Sequence, residues 1–294
     1  MQELTVPPNE AAKKLANFLK KQFPIGYVRR LFRKNGARLN GRRAKADDPI
    51  RGGDRIQLYL PFESQADNPP RPRGHARLAI VYEDPSMLVV NKPAGLAVHE
   101  GKTVSKAESL AGLVEKKYRT KGLPPRLAHR LDKDTSGLLI LAKDDQTLEA
   151  MEGLLATGSA DKEYLCLVVG RLPNNDGKID FPLPGRDSHL VRALTRYRVI
   201  KRFSETTFVR VAIETGRLHQ IRLHFAKLGH PVVMDDQHGD FEFNKRFRKT
   251  FGLKRQFLHA HKLAIEWGGR RQSWTAPLAD DLERTLERLE SERN

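Results

Sequence analysis

Cys166 is the only cysteine in this 294-residue chain. One thiol excludes a disulfide framework within the chain and a cysteine zinc site, and it fits a reducing compartment. Long apolar runs are missing as well. None approaches the roughly 20 residues needed to cross a bilayer. The opening Met-Gln-Glu-Leu-Thr-Val-Pro-Pro lacks the basic and apolar regions of a secretory signal. A cytoplasmic protein with no membrane partner is expected. The dinucleotide fingerprint Gly-x-Gly-x-x-Gly does not occur. Negative charge is scarce: 36 Asp and Glu stand against 53 Lys and Arg, leaving a formal +17. That surplus points to a polyanionic partner, with nucleic acid the first candidate.

The basic charge is concentrated. Residues 1–62 hold 14 Lys and Arg against 5 Asp and Glu, so +9 of the +17 lies in the first fifth of the chain. Within it, residues 9–23 read as an amphipathic helix capped by Asn9, with Ala12, Leu15, Leu19 and Phe23 at helical spacing. A second short helix carries Val28, Leu31 and Phe32, with Arg29, Arg30, Arg33 and Lys34 crowded on its exposed sides and Asn35-Gly36 closing it. Ala37–Ala44 reads as a hairpin turning at Asn40-Gly41 and presenting Arg42 and Arg43, and Arg55–Leu60 as a further strand. Residues 63–77, with three prolines and no apolar periodicity, read as an extended linker to a second domain over 78–294.

In that second domain, strands are expected at Ala79–Glu83, Met87–Asn91, Leu138–Lys143, Tyr164–Val169, Ala193–Ile200, Phe208–Glu214 and Leu258–Glu266. Helices are expected near Glu108–Tyr118, Gln146–Leu155, Leu218–Leu228 and Asp280–Glu290. The strands cluster instead of alternating with helices, which predicts an α+β fold on a mostly antiparallel mixed sheet with flanking helices.

One stretch stands out. His129-Arg-Leu-Asp-Lys-Asp-Thr-Ser-Gly137 runs directly into the apolar Leu138-Leu-Ile-Leu-Ala. A charged loop that feeds a buried strand is held rigidly at the mouth of a core. Arg130 and Lys133 close to Asp132 favour its ionised form. The residues alone leave two readings open: a surface turn with salt bridges, or a carboxylate positioned for nucleophilic or acid–base work.

On helix 218–228 the apolar positions are Leu218, Ile221, Phe225 and Leu228, and Arg222 falls inside that stripe. A guanidinium on a buried face needs an anionic partner, and Asp132 is the candidate. On the strand from Tyr164, the side chains of Tyr164, Cys166 and Val168 face one way and those of Leu165, Leu167 and Val169 the other. A tyrosine there is ordinarily plain core, and Cys166 reads as a small apolar filler.

The full string 129–137 resembles the central motif of the RluA-type pseudouridine synthases. Further motifs extend the resemblance over roughly residues 78–290: Asn91-Lys-Pro-Ala-Gly-Leu-Ala-Val-His99, Lys162-Glu-Tyr164, Gly216-Arg-Leu-His-Gln-Ile-Arg222, Gly229-His-Pro231, Gly239-Asp240 and Phe257-Leu-His-Ala260. The first 60 residues, with Gly53-Asp54 before the last strand, resemble the RNA-binding domain named after ribosomal protein S-four. Together with the run Asp235-Asp-Gln-His-Gly-Asp240, this is most similar to the RluC branch, which modifies large-subunit (23S) ribosomal RNA. His238 departs from the pattern, standing where many relatives have tyrosine.

The resemblance implies an isomerase. Asp132 is the catalytic carboxylate, Arg222 holds it ionised, and Tyr164 stacks on the detached base and is available to assist loss of the C5 proton. Arg130 fills the space of a flipped-out uridine, with His129 beside it in the RNA contact. Arg29, Arg30, Arg33, Lys34, Arg42 and Arg43 bind RNA from the N-terminal domain. The implied partner is 23S ribosomal RNA, with no cofactor and no metal, and the chain is expected to act as a monomer. Two other classes remain: a ribosome-assembly factor without catalysis, and a metal-dependent phosphodiesterase using the His-Pro…Asp-Asp-Gln-His-Gly-Asp segment.

Overall fold

Ser136–Ala142 is buried at every position and forms an inner strand of a large sheet in the computed structural model. The structure describes residues 2–10, 14–23, 28, 31–32, 35–59, 78–101, 104–120, 122–185 and 189–292. The chain divides into two compact units, Met1–Ala76 and Arg77–Asn294.

In the first unit, β1 (Gln2–Thr5), β2 (Ala37–Leu39), β3 (Arg42–Arg43) and β4 (Arg55–Leu58) form an antiparallel sheet in the order β1-β4-β2-β3. Strand β1 was not anticipated. The hairpin turns at Asn40 (φ 50°) and Gly41 (φ 80°), the left-handed pair that a two-residue turn requires. Asp54 ties it down: one carboxylate oxygen accepts from the Asn40 amide at 2.9 Å and the other from the Arg51 N–H at 2.7 Å. Helix α1 (Leu15–Gln22) buries Leu15, Phe18 and Leu19 against Ile56 and Leu58 in one core.

The expected Asn9 cap is corrected. Lys14 is the N-cap, and the first helical N–H groups, of Leu15 and Ala16, donate to the carbonyls of Asp48 and Ala46. Backbone oxygens of a neighbouring loop thus do what a cap side chain would. Val28, Leu31 and Phe32 are helical as expected, whereas Arg29, Arg30, Arg33, Lys34 and the 63–77 segment lie outside the described residues.

The second unit carries β5 (Ala79–Glu83), β6 (Met87–Lys92), β7 (Arg126–Leu127), β8 (Ser136–Ala142), β9 (Asp161–Val169), β10 (Asp176–Ile179), β11 (Leu183–Pro184), β12 (Leu190–Val191), β13 (Thr195–Arg202), β14 (Thr206–Ile213), β15 (Leu258–Trp267) and β16 (Arg270–Thr275). The main sheet runs β10-β13-β14-β9-β15-β8-β6-β5, with β16 on β15 and β7 on β8, while β11 and β12 make a separate ribbon. Every pairing is antiparallel except β15 with β8. The sheet is therefore mostly antiparallel and mixed.

Helices cover both faces, because the strands alternate apolar side chains to both sides. Helices α2 (Leu110–Tyr118) and α4 (Gln220–Lys227) pack on the face that carries Tyr164, Cys166 and Val168. Helix α3 (Asp145–Ala156) lies on the opposite face, as do α5 (Phe241–Phe251) and α6 (Asp280–Ser291), which meet Leu165 and Leu167. Helix α5 was not anticipated, although Asp240 caps it and Phe243 and Phe247 sit four apart on its buried side.

The parallel pair β8–β15 positions the loop before β8. Gly137 (φ 116°) lies opposite Ala260, and a Cβ there would stand 2.2 Å from the Ala260 carbonyl oxygen. Only glycine permits that approach.

Candidate active site

Asp132 lies in the loop between β7 and β8, pinned from three sides. The Lys92 ammonium, fully buried at the end of β6, donates to the carbonyls of Pro93, Leu96 and Lys133 at 2.9, 2.9 and 3.0 Å. Gly95 N–H reaches the same Lys133 oxygen at 2.9 Å. The Arg255 guanidinium, held by Asp281, donates to the Asp134 carbonyl at 3.2 Å. Gln256 donates to the Thr135 hydroxyl at 2.6 Å. One lysine thus ties the backbones of the Asn-Lys-Pro motif and the central motif together. Burial pulls the Lys92 amine down to about 7, against the attraction of Asp134.

The Asp132 carboxylate is about one-fifth exposed. Its Oδ2 accepts from Arg222 Nη1 at 2.9 Å. Arg222, almost wholly buried on α4, gives its Nε and Nη2 to Asp235 at 2.7 and 2.8 Å. Asp235 is fully buried, and its Oδ1 also accepts the N–H groups of Gln237 and His238, each at 2.9 Å. Burial would raise the Asp235 carboxyl, but the Arg222 guanidinium and these N–H groups outweigh it and hold it below its usual range. Burial likewise opposes charge on Arg222, and the two carboxylates more than compensate. The guanidinium remains a permanent cation facing Asp132.

These groups border a cavity of about 380 Å³ that Arg130, Tyr164, Leu218, His219 and Leu258 also line. Its volume falls within the range of small-ligand sites. Tyr164 starts from β9 and is nearly buried, and its phenol is pushed up by burial and then by the Asp132 charge. It is a neutral ring and a poor base. His219 occupies the left-handed region (φ 53°) as N-cap of α4, with its Nε2 3.7 Å from Asp132 Oδ1. Its Nδ1 is 3.1 Å from His238 Nε2.

The chain matches the RNA pseudouridylate synthase family over residues 86–227. It is 32% identical to ribosomal large subunit pseudouridine synthase C of Escherichia coli K12, covering 99% of this chain and 97% of that protein. The protein of the same name from Vibrio cholerae is 31% identical, over 98% of this chain and 97% of that one. The chain belongs to the RNA pseudouridylate synthase family. Two solved structures share the fold of this synthase. Human RNA pseudouridylate synthase domain containing 4 has a TM-score of 0.62 at 24% identity, covering 72% of this chain and 93% of that one. Human domain containing 1 has a TM-score of 0.54 at 24% identity, over 73% and 95%. The enzyme is an isomerase.

The structure brings Asp132, Arg222, Tyr164 and Arg130 together at the cavity. His129 does not line it. Its Nε2 accepts the Ile140 N–H at 3.0 Å, and burial, with Lys162 nearby, drives the ring down to about 3, leaving it neutral. The reason is its place just after β7, alongside the middle of β8, where it satisfies the Ile140 N–H instead of facing the opening. Arg42 and Arg43 are exposed on the hairpin of the first unit.

Two expectations on α4 change. Leu218 is 57% exposed at the cavity edge, not on a buried stripe, because His219 turns left-handed and the helix starts only at Gln220. Leu228, too, is partly exposed. Asp132 does partner Arg222, but Asp235 is the stronger partner and was missed in sequence. The Asp-Asp-Gln-His-Gly-Asp segment, weighed as a metal site, instead gives its first carboxylate to Arg222. Among the described residues no His, Cys, Asp and Glu group is placed to hold a metal ion. No helix among them is long and apolar enough to cross a membrane.

Proposed function

We propose that this synthase converts specific uridines of large-subunit (23S) ribosomal RNA to pseudouridine, with Asp132 as the reacting carboxylate. The observation that carries the reading is the Asp132–Arg222–Asp235 chain beside the cavity. A buried cation clamped by one carboxylate presents a second carboxylate, partly exposed, to an opening of nucleoside size. The substrate class rests on relatives of that name, matched over nearly the whole chain.

The reaction breaks the N1–C1′ bond of uridine and forms a C5–C1′ bond, while C5 loses a proton and N1 gains one. Atoms and electrons balance within the substrate, so this reading includes no cofactor and no metal. Asp132 acts at the sugar or on the ring. Arg222 keeps it charged and oriented. Tyr164 stacks on the base, a role suited to a neutral ring. The target uridine must leave its stack to enter the cavity, and Arg130, exposed at the rim, takes its place in the RNA.

Residues 1–62 act as an S-four-like RNA-binding domain, with residues 63–77 as its linker to the second unit. Arg42 and Arg43 on the hairpin bind RNA phosphates, as do Arg29, Arg30, Arg33 and Lys34. The enzyme works as a monomer in the cytoplasm. The test is chemical mapping of pseudouridine in ribosomal RNA from cells lacking the gene, then restored with wild type or Asp132→Asn. Large-subunit sites that vanish and return only with wild type support the reading. An unchanged map overturns it.

A further inference from the structure

The contacts around Asp132 close into a ring. Arg222 joins Asp132 to Asp235, and Asp235 Oδ1 accepts the His238 N–H at 2.9 Å. The His238 ring meets the His219 ring edge to face, with centroids 5.3 Å apart and Nε2 and Nδ1 3.1 Å apart. His219 Nε2 returns to the free oxygen of Asp132 at 3.7 Å. The Arg222 side of this ring is what the mechanism uses. The histidine side is unassigned.

We propose that His238 is a positioning residue that fixes the tautomer of His219, so that His219 aims an N–H at the free Oδ1 of Asp132. The proposal rests on Asp132 being the reacting carboxylate. A single proton lies between His219 Nδ1 and His238 Nε2, and there are two ways to place it. With the proton on His219, its Nε2 is a bare lone pair pointing at a carboxylate, which is repulsive. With the proton on His238, His219 Nδ1 accepts, its Nε2 carries hydrogen, and Asp132 Oδ1 faces an N–H at 3.7 Å while Oδ2 accepts from Arg222 and Gln256.

The surroundings favour the second arrangement and the neutral rings it needs. Burial lowers both histidines, and Arg222 lowers both further, against the pull of Asp132 and Asp235 on each and of Asp236 on His238. The left-handed backbone of His219 puts its ring between the two partners, and the Leu223 N–H fixes its carbonyl at 2.9 Å.

His238→Phe removes the donor and keeps the ring. His238→Gln restores an N–H where Nε2 stood. We expect kcat to fall about tenfold in His238→Phe, the worth of one hydrogen bond to a charged group, with KM for ribosomal RNA unchanged and with recovery in His238→Gln. Nitrogen-15 NMR of the wild-type imidazoles should show His219 protonated at Nε2. Wild-type kcat in His238→Phe, equal losses in both variants, a change confined to KM, or a His219 protonated at Nδ1 each overturns the proposal. An active Asp132→Asn enzyme would instead remove the reading beneath it, so the two failures are separable.

Discussion

Arg222 gives two of its three guanidinium nitrogens to Asp235, at 2.7 and 2.8 Å, and only the third to Asp132, at 2.9 Å. The division has a physical logic. Asp235 is sealed in the core and neutralises the arginine at close range. Asp132 Oδ2 receives that bond and a longer one from the Gln256 amide at 3.5 Å, enough to orient it, while Oδ1 faces His219 at 3.7 Å.

Removing Arg222 should therefore damage stability as well as turnover. Arg222→Ala leaves Asp235 buried without its counter-charge, a loss of about 3–5 kcal/mol. Arg222→Lys keeps the charge but cannot hold both carboxylates in the same plane, so it should fold better and still lose about 100-fold in kcat through misplacement of Asp132. Thermal melting alongside single-turnover kinetics checks both. An Arg222→Ala protein with wild-type Tm and turnover would show that the clamp matters to neither.

Asp132→Asn retains the volume and loses the charge, and turnover should drop by at least about 1,000-fold. Affinity for RNA should hold, since Arg130 and the basic residues are untouched. Asp134→Asn should be mild, because the structure uses the Asp134 backbone carbonyl, which the change preserves. Equal loss in the two variants would show that the loop, and not the Asp132 carboxylate, is what the chemistry needs.

The legible parts of this site lie on regular elements. Arg222 stood out because a helix has a period and a cation interrupts its apolar side. Tyr164 and Cys166 were placed on one sheet face by the two-residue period of a strand, and they share a core. Asp235 was invisible because it belongs to a turn with no period. Met234 before it is left-handed (φ 64°), and nothing in Asp235-Asp236 tells which carboxylate turns inward. Leu218 was misplaced for a related reason: the helical pattern continues through His219 in sequence, whereas the backbone does not. Lys92 sat in a quoted motif, but one of its three carbonyl partners, Lys133, lies 41 residues further along the chain.

Lys92 gives a pH signature. Its amine sits at about 7 in the folded chain against 10.5 ordinarily, so between those values the unfolded chain binds more protons. Stability from this group therefore rises with pH across that window and is flat below it, where both states are charged. Lys92→Met should abolish that rise while lowering stability overall, since three carbonyls lose their donor. Melting of both proteins from pH 6.5 to 9.5 measures it, on an axis set by the window of about 7 to 10. Parallel curves would mean that Lys92 stays charged throughout.

Removing residues 1–76 should separate recognition from chemistry. The second unit, Arg77–Asn294, holds every cavity residue, and its cores are built from its own side chains. The deleted part carries +9 of the +17 net charge. Each phosphate contact given up should flatten the dependence of log K on log salt by about 0.9 on a duplex and about 0.7 on a single strand. The shortened enzyme should still isomerise uridine at high RNA concentration, with weaker binding at physiological salt and a shallower slope. Measuring that slope for both proteins on one ribosomal RNA fragment decides the role of the N-terminal unit. If the slope is unchanged, Arg42, Arg43 and their neighbours do not touch RNA, and their surface charge has to be explained by another partner.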